Sequence, residues 1–182
     1  RRKLPFLSNI YHLITIWILF DCALFVFWWS IELFYNIRTD LDKLKYAVYI
    51  TKIVNDVTTE NQNNYKVLQL FLNTLYVISN TDKDLELISS IFRIRLLSII
   101  GYRPEITQCK ICKQRENLTK FSIIDNGFKC ESCGRPDKGA INMNETTKDA
   151  IRYIILSDAK KIYSFQVPKE TMEELKIISK VY

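Results

Sequence analysis

Four cysteines carry the clearest chemistry in this chain. Cys109 and Cys112 form one Cys-x-x-Cys pair and Cys130 and Cys133 another, with 17 residues between the pairs. Two such turns hold a tetrahedral ion from opposite knuckles, and zinc is the ion this spacing suits. A catalytic zinc keeps one position open to water beside three protein ligands. Four thiolates close the sphere, so one structural Zn²⁺ per chain is expected. The sole histidine, His12, is far away in sequence, and no acidic residue stands at a spacing that suggests a general base. Cys22, alone among apolar residues, reads as a small buried hydrophobe.

The segment between the pairs must bring the knuckles together. Lys120 to Ile124 reads as a strand, Asp125-Asn126-Gly127 as a turn and Phe128 to Cys130 as the returning strand. Asn-Gly supplies the positive backbone angles of a tight hairpin. Two knuckles joined by a hairpin make a zinc ribbon, here spanning residues 102–140.

Helical patterns flank the ribbon. Thr39 is placed to cap a helix ending near Val57, with Leu41, Leu44, Val48 and Thr51 at helical spacing. A second helix runs from about Asn64 to Ser79, with Val67, Leu68, Phe71, Leu72 and Leu75 as its apolar face. Thr81 caps a third, with Asp82 and Asp84 suiting its positive end, and Gly101 is a left-handed stop. That third helix is apolar on two stripes (Ile88, Phe92, Leu96; Leu87, Ile91, Ile94), as the central helix of a bundle is. Asn144 caps a fourth through about Leu156, and Pro168 opens a fifth. The expected fold is mainly α: a helical bundle of residues 35–101 and 141–182 with an inserted four-cysteine ribbon.

Arg93 shares a polar face with Glu86, Ser89 and Ser90 and is expected in a surface ion pair. Arg95 points roughly the opposite way, and a half-buried guanidinium needs an acceptor, internal or from a partner.

The chain has 182 residues, 48% of them hydrophobic, a formal charge of +6 and a pI near 9.0. It can bury a core, and the charge suits nucleic acid, acidic protein tails or a membrane surface, or a solvated basic face without a partner. From Arg103 to Lys138 bases outnumber acids eight to five, an excess that four thiolates and one Zn²⁺ reduce to about one. Any DNA contact by the ribbon therefore depends on local placement more than on net charge. Paired cysteines of this kind point to a reducing compartment. Phosphate-binding loops, dinucleotide turns and nucleophile elbows are absent, which leaves little for an enzyme.

Residues 1–34 differ from the rest. Ile10 to Phe34 carries only Asp21 and Glu32 as charges, behind Arg1, Arg2 and Lys3. This resembles a membrane span with a positive flank; a buried core segment or a stretch that is not native coding sequence are the alternatives. The chain starts at Arg1, with methionine only at Met143 and Met172, and reads as a fragment.

The run "IFRIRLLSIIGYRPEITQCKIC" (91–112), followed by "KFSIIDNGFKCESC" (120–133), resembles the C-terminal part of the RecO family of bacterial DNA repair proteins. Phe92, Arg95, Leu96, Leu97, Gly101, Tyr102, Pro104, Phe121, Ser122, Gly127 and the four ribbon cysteines match its pattern, and the similarity extends over roughly 35–182. The resemblance implies a recombination mediator and not an enzyme. Such proteins bind single- and double-stranded DNA, anneal strands, and act with RecR and single-strand-binding protein to load RecA in the cytoplasm, at the nucleoid. They take no small-molecule substrate. Arg95, Arg103, Lys110, Lys113, Arg115 and Lys120 are then the candidate DNA or partner contacts. The family fold adds an N-terminal OB barrel, for which residues 1–34 show neither alternation nor glycine; that barrel is expected to be missing or degenerate, with 1–34 a truncated or frame-shifted remnant. Arg93 also stands where the family usually has Glu. The rival reading is a membrane-anchored zinc-ribbon interaction module spanning at residues 10–34.

Overall fold

Asp40 sets the start of the first long helix. In the computed structural model, which describes residues 34–58 and 64–182, the Asp40 carboxylate accepts from the backbone N–H of Asp42 (2.8 Å) and Lys43 (3.1 Å). Thr39, the expected cap, instead closes the short helix α1 (Tyr35–Thr39). A carboxylate competes better than a hydroxyl for the positive end of a helix. Helix α2 (Leu41–Val57) follows, then α3 (Tyr65–Asn80). The same substitution of caps recurs at α4 (Leu85–Ile99), where Asp84 accepts from Leu87 N–H at 2.7 Å. Thr81 turns back to donate to the Val77 carbonyl.

The buried faces of α2 and α3 also depart from expectation. Leu41 is 83% and Val48 60% exposed, while Ala47 and Ile50 enter the core. In α3 the buried stripe is Val67, Leu70, Thr74 and Ile78, leaving Leu68 and Leu72 half in solvent. Aliphatic residues occur on two faces of each helix, so periodicity alone left the rotation open. Thr74 is admitted to the core because its hydroxyl is satisfied twice, by the Leu70 carbonyl (2.7 Å) and the Tyr163 hydroxyl (2.6 Å).

Helix α4 is the centre of the bundle, as its two stripes foretold. It packs against α2, α3, α6 (Glu145–Leu156) and α7 (Lys169–Val181). Full burial of Phe92 and Ile88 contributes about 2 kcal/mol each. Ser89 and Ser90, assigned to a polar face, are buried too, because neighbours surround this helix. Ser90 donates to its own Glu86 carbonyl at 2.9 Å. Glu86 pairs with Lys176 (3.2 Å) and Lys180 (2.8 Å) of α7. Arg93, expected in an ion pair, has none among the described residues; its Nη2 meets Ser90 Oγ at 3.4 Å.

The ribbon contains β1 (Leu118–Ser122) and β2 (Gly127–Cys130), an antiparallel hairpin with Phe121 opposite Phe128. A single helical turn, α5 (Glu131–Gly134), follows. A third strand that the sequence reading did not place, β3 (Ile141–Asn142), pairs with the other edge of β1, giving the order β2-β1-β3. It delivers the chain to α6, whose cap is Asn144 as expected, accepting from Thr147 N–H at 2.7 Å. One apolar cluster runs without a break from Phe121, Phe128 and Met143 of the ribbon to Ile151 and Ile154 of α6.

Among the described residues no helix is long and apolar enough to cross a membrane. His12, Cys22 and the segment 10–33, with its membrane, core and remnant readings, lie outside the described residues, as does the place expected for a degenerate barrel. Among the described residues the sheet is the three-stranded one of the ribbon.

Candidate metal centre and the residues around it

The two knuckles are built differently. After Cys109 the chain turns back sharply: Lys113 donates its N–H to the Cys109 carbonyl (3.0 Å), and Cys109 donates its own to Gln114 (2.7 Å). Lys113 adopts φ 64° to make this turn. Lys110 N–H donates to the Phe128 carbonyl at 2.9 Å, tying the knuckle to β2. The second knuckle starts where β2 ends, with Cys130 as the residue from which α5 springs.

These turns bring the Sγ atoms of Cys109, Cys112, Cys130 and Cys133 within 4.8 Å of one another. Cys112 and Cys130 are 3.6 Å apart. A disulfide needs about 2.0 Å, whereas a tetrahedron with metal–sulfur bonds of about 2.3 Å has edges near 3.8 Å. All four cysteines are free. The cluster therefore fits one metal ion held by four thiolates, with no position left for water. Thiolate donors in this geometry suit Zn²⁺ or iron.

The thiols divide in their acidity. The Ser132 hydroxyl at 3.2 Å, followed by the Cys133 backbone N–H, lowers Cys130 to about 6. The Cys130 sulfur, with burial next, pushes Cys133 up to about 12. Four thiolates this close repel one another, and a dication at their centre removes the conflict.

Behind the hairpin lies an ion cluster that sequence reading treated only as a charge count. Lys129, 5% exposed, contacts Asp125 and lies 2.8 Å from Asp137. Ser122 donates to Asp137 at 2.5 Å. The Lys129 ammonium, then Ser122, hold the Asp137 carboxyl down at about 2. A lysine between Phe128 and Cys130 in a strand buried on both faces was the available sign, since such a charge requires counterions.

Gly127 answers a different need from the one its place in Asn-Gly suggested. Of the Asn-Gly pair, only Asn126 has positive φ, at 51°. Glu105 runs parallel to Gly127, accepting from Phe128 N–H (2.8 Å) and donating to the Asn126 carbonyl (3.0 Å). A β-carbon on Gly127 would lie 2.8 Å from the Glu105 carbonyl oxygen, so close backbone approach requires glycine there.

The helices grip this structure from both sides. Arg152 of α6 donates Nε–H to the Ile106 carbonyl at 2.9 Å and lays its guanidinium over the Phe128 ring, 5.7 Å from its centroid. Tyr182, beyond α7, packs edge-on against Phe121 and donates to Asn126 Oδ1 at 2.7 Å.

The six basic residues singled out in the sequence fall into separate places. Lys110, Lys113 and Arg115 are exposed on or next to the first knuckle. Lys120 is covered, 15% exposed beside Glu131. Arg95 and Arg103 line a cavity of 370 Å³ with Lys66, Gln69 and Asp158. Arg95 has an internal acceptor: Nη1 donates to the Ile154 (3.1 Å) and Ile155 carbonyls and Nη2 to Ser157 (2.9 Å). These are carbonyls at the end of α6, which lack helical partners.

Four converging cysteine sulfurs, tied to an α-helical bundle through Arg152 and Tyr182, define a helical module with a candidate four-cysteine metal site. The family model for the C-terminal part of recombination protein O matches residues 38–182, and the chain belongs to that family. It is 42% identical to the DNA repair protein RecO of Acetivibrio thermocellus over 153 residues, 84% of this chain and 61% of the relative. Identity is 32% over 152 residues with that of Alkaliphilus metalliredigens (83% and 62%) and 30% over 147 residues with that of Bacillus subtilis (81% and 57%). The chain thus spans about three-fifths of the length of the curated relatives it matches.

Proposed function

We propose that this chain serves DNA repair as a recombination mediator of the RecO type, with zinc as its structural metal. The family match across both the bundle and the ribbon carries this reading. The relatives named above are DNA repair proteins, and a cluster closed by four sulfurs supports a staple over a reactive centre. In this reading the chain binds single- and double-stranded DNA in the cytoplasm and anneals complementary strands. It assists RecA loading together with RecR and single-strand-binding protein, and it turns over no small-molecule substrate. Exposed Arg103, Lys110, Lys113 and Arg115 supply charge toward phosphates, while Arg95 and Lys120 act from behind the surface.

Annealing of two complementary dye-labelled oligonucleotides tests the proposal. The zinc-loaded chain should speed annealing, and the gain should shrink as salt rises because phosphate contacts release counterions. An annealing rate equal to that of the protein-free strands would refute it.

A further inference from the structure

Two cavities meet at Lys66 and Ile99. The first, of 370 Å³, draws Lys66 and Gln69 from α3, Arg95 and Ser98 from α4, and Arg103 from the loop beyond it. Its three bases face one acid, Asp158. The second, of 550 Å³, is walled by Val57, Tyr65, Val67, Ile99 and Ile100. None of the ribbon bases Lys110, Lys113, Arg115 or Lys120 lines either cavity.

The charges in the first cavity are not balanced from within. Lys66 and Arg103 are exposed and make no ion pair among the described residues. Arg95 is held in place by the α6 carbonyls, so its charge is a fixed part of the floor. Burial, and after it the Arg103 charge, weigh against the Arg95 cation, and the opposite charge of an anion in the cavity would offset both. A lone carboxylate would need only a small part of this space. The continuation into a cavity that combines Lys66 with apolar walls at Val57, Val67, Ile99 and Ile100, beside Tyr65, which is 67% exposed, suits a ligand that alternates anionic groups with flat apolar ones. Single-stranded nucleic acid has that character: its backbone tracks bases and its nucleobases stack on aromatic rings.

We propose that the joined cavities form a groove for single-stranded nucleic acid, with a backbone phosphate between Lys66 and Arg103 and the adjoining base against Tyr65. The inference rests on the DNA-binding reading above and names the surface that performs it.

Fluorescence anisotropy of a labelled single-stranded thymidine oligonucleotide with the zinc-loaded full chain tests it. The Lys66→Glu/Arg103→Glu variant should lose at least about tenfold in affinity, and its log K against log salt slope should flatten by about 0.7, the share of the one phosphate placed between them. Arg103→Gln should fall between. Tyr65→Ala should lose about tenfold and Tyr65→Phe should retain wild-type affinity. Lys113→Glu/Arg115→Glu, at ribbon bases that supply charge toward phosphates, should lose less than the groove variant, and Lys138→Glu/Lys169→Glu, at exposed bases that line neither cavity, should stay within about twofold of wild type. Melting temperature and zinc content are measured alongside, to separate lost binding from lost folding. Groove variants that bind like wild type while the ribbon variant fails would overturn the groove and leave the proposed function standing. A folded wild type that does not bind the oligonucleotide would overturn the DNA-binding reading itself. An acidic, carboxylate-ended peptide that loses binding in the groove variants while oligonucleotide binding survives would assign the groove to a protein tail and also overturn the proposal.

Discussion

The Arg95 guanidinium donates to the Ser157 carbonyl at 2.9 Å, joining the middle of the central helix α4 to the end of α6. With the Ile154 and Ile155 carbonyls it makes a cap supplied by another helix. Arg95→Met should destabilise the fold by about 2 kcal/mol, since charged donors to carbonyls contribute more than neutral ones, and lower the melting temperature by about 5 °C. Arg93→Met, which removes one long contact to Ser90, should cost less than about 1 kcal/mol. Equal losses in thermal melts would refute the cap.

Gly127 lies against the Glu105 backbone, where a methyl group has no room and the obstacle cannot swing aside. Gly127→Ala should cost about 2 kcal/mol through overpacking and weaken metal retention, because Phe128 and Cys130 follow directly. A chelator competition series reads this out; unchanged metal affinity would mean that the Glu105 bridge does not position the second knuckle.

Asp137 titrates at about 2 in the fold, below its ordinary 3.8, through Lys129 and then Ser122. A lowered carboxylate pKa stabilises above the unfolded value and is lost as pH falls through the folded one. In metal-free protein, the stability difference between wild type and Asp137→Asn should therefore be full above about pH 4 and vanish as pH approaches 2. Urea midpoints across that range check it, and a difference that persisted at pH 2 would exclude this linkage.

Cys112→Ser should abolish tight metal binding, and acidification from pH 8 to 6 should weaken it in the wild type, because bound thiols must lose their protons. Zinc removal should loosen the ribbon while most far-ultraviolet circular dichroism remains, since the long helices lie outside it. Complete loss of helicity on chelation would show that the metal holds the bundle as well.

The four-cysteine cluster was legible because two Cys-x-x-Cys pairs leave few other uses for four thiols, and all four sulfurs converge. The central place of α4 was legible because apolar residues covered both stripes. Rotations of α2 and α3 were not, as both helices carry aliphatic residues on more than one face. The caps went to Asp40 and Asp84 where hydroxyls were expected. Strand β3 has only two residues, too short for any periodicity. The Glu105 bridge and the Arg152 and Tyr182 grips depend on distant parts of the chain meeting, which local pattern does not encode. Lys66 and Tyr65 have no distinguishing pattern at the start of a helix; only the packing of α3 beside α4 sets Lys66 in one cavity with Arg103 and Tyr65 in the cavity beside it.

The central claim is a zinc-stapled domain that carries DNA. Native mass spectrometry of the full chain with a single-stranded oligonucleotide tests both halves together. The account predicts one zinc per chain and an oligonucleotide adduct on the zinc-bearing species, with the adduct diminished after Cys112→Ser. A metal-free chain carrying the oligonucleotide as readily as the zinc form, or a zinc form that carries none, would contradict it.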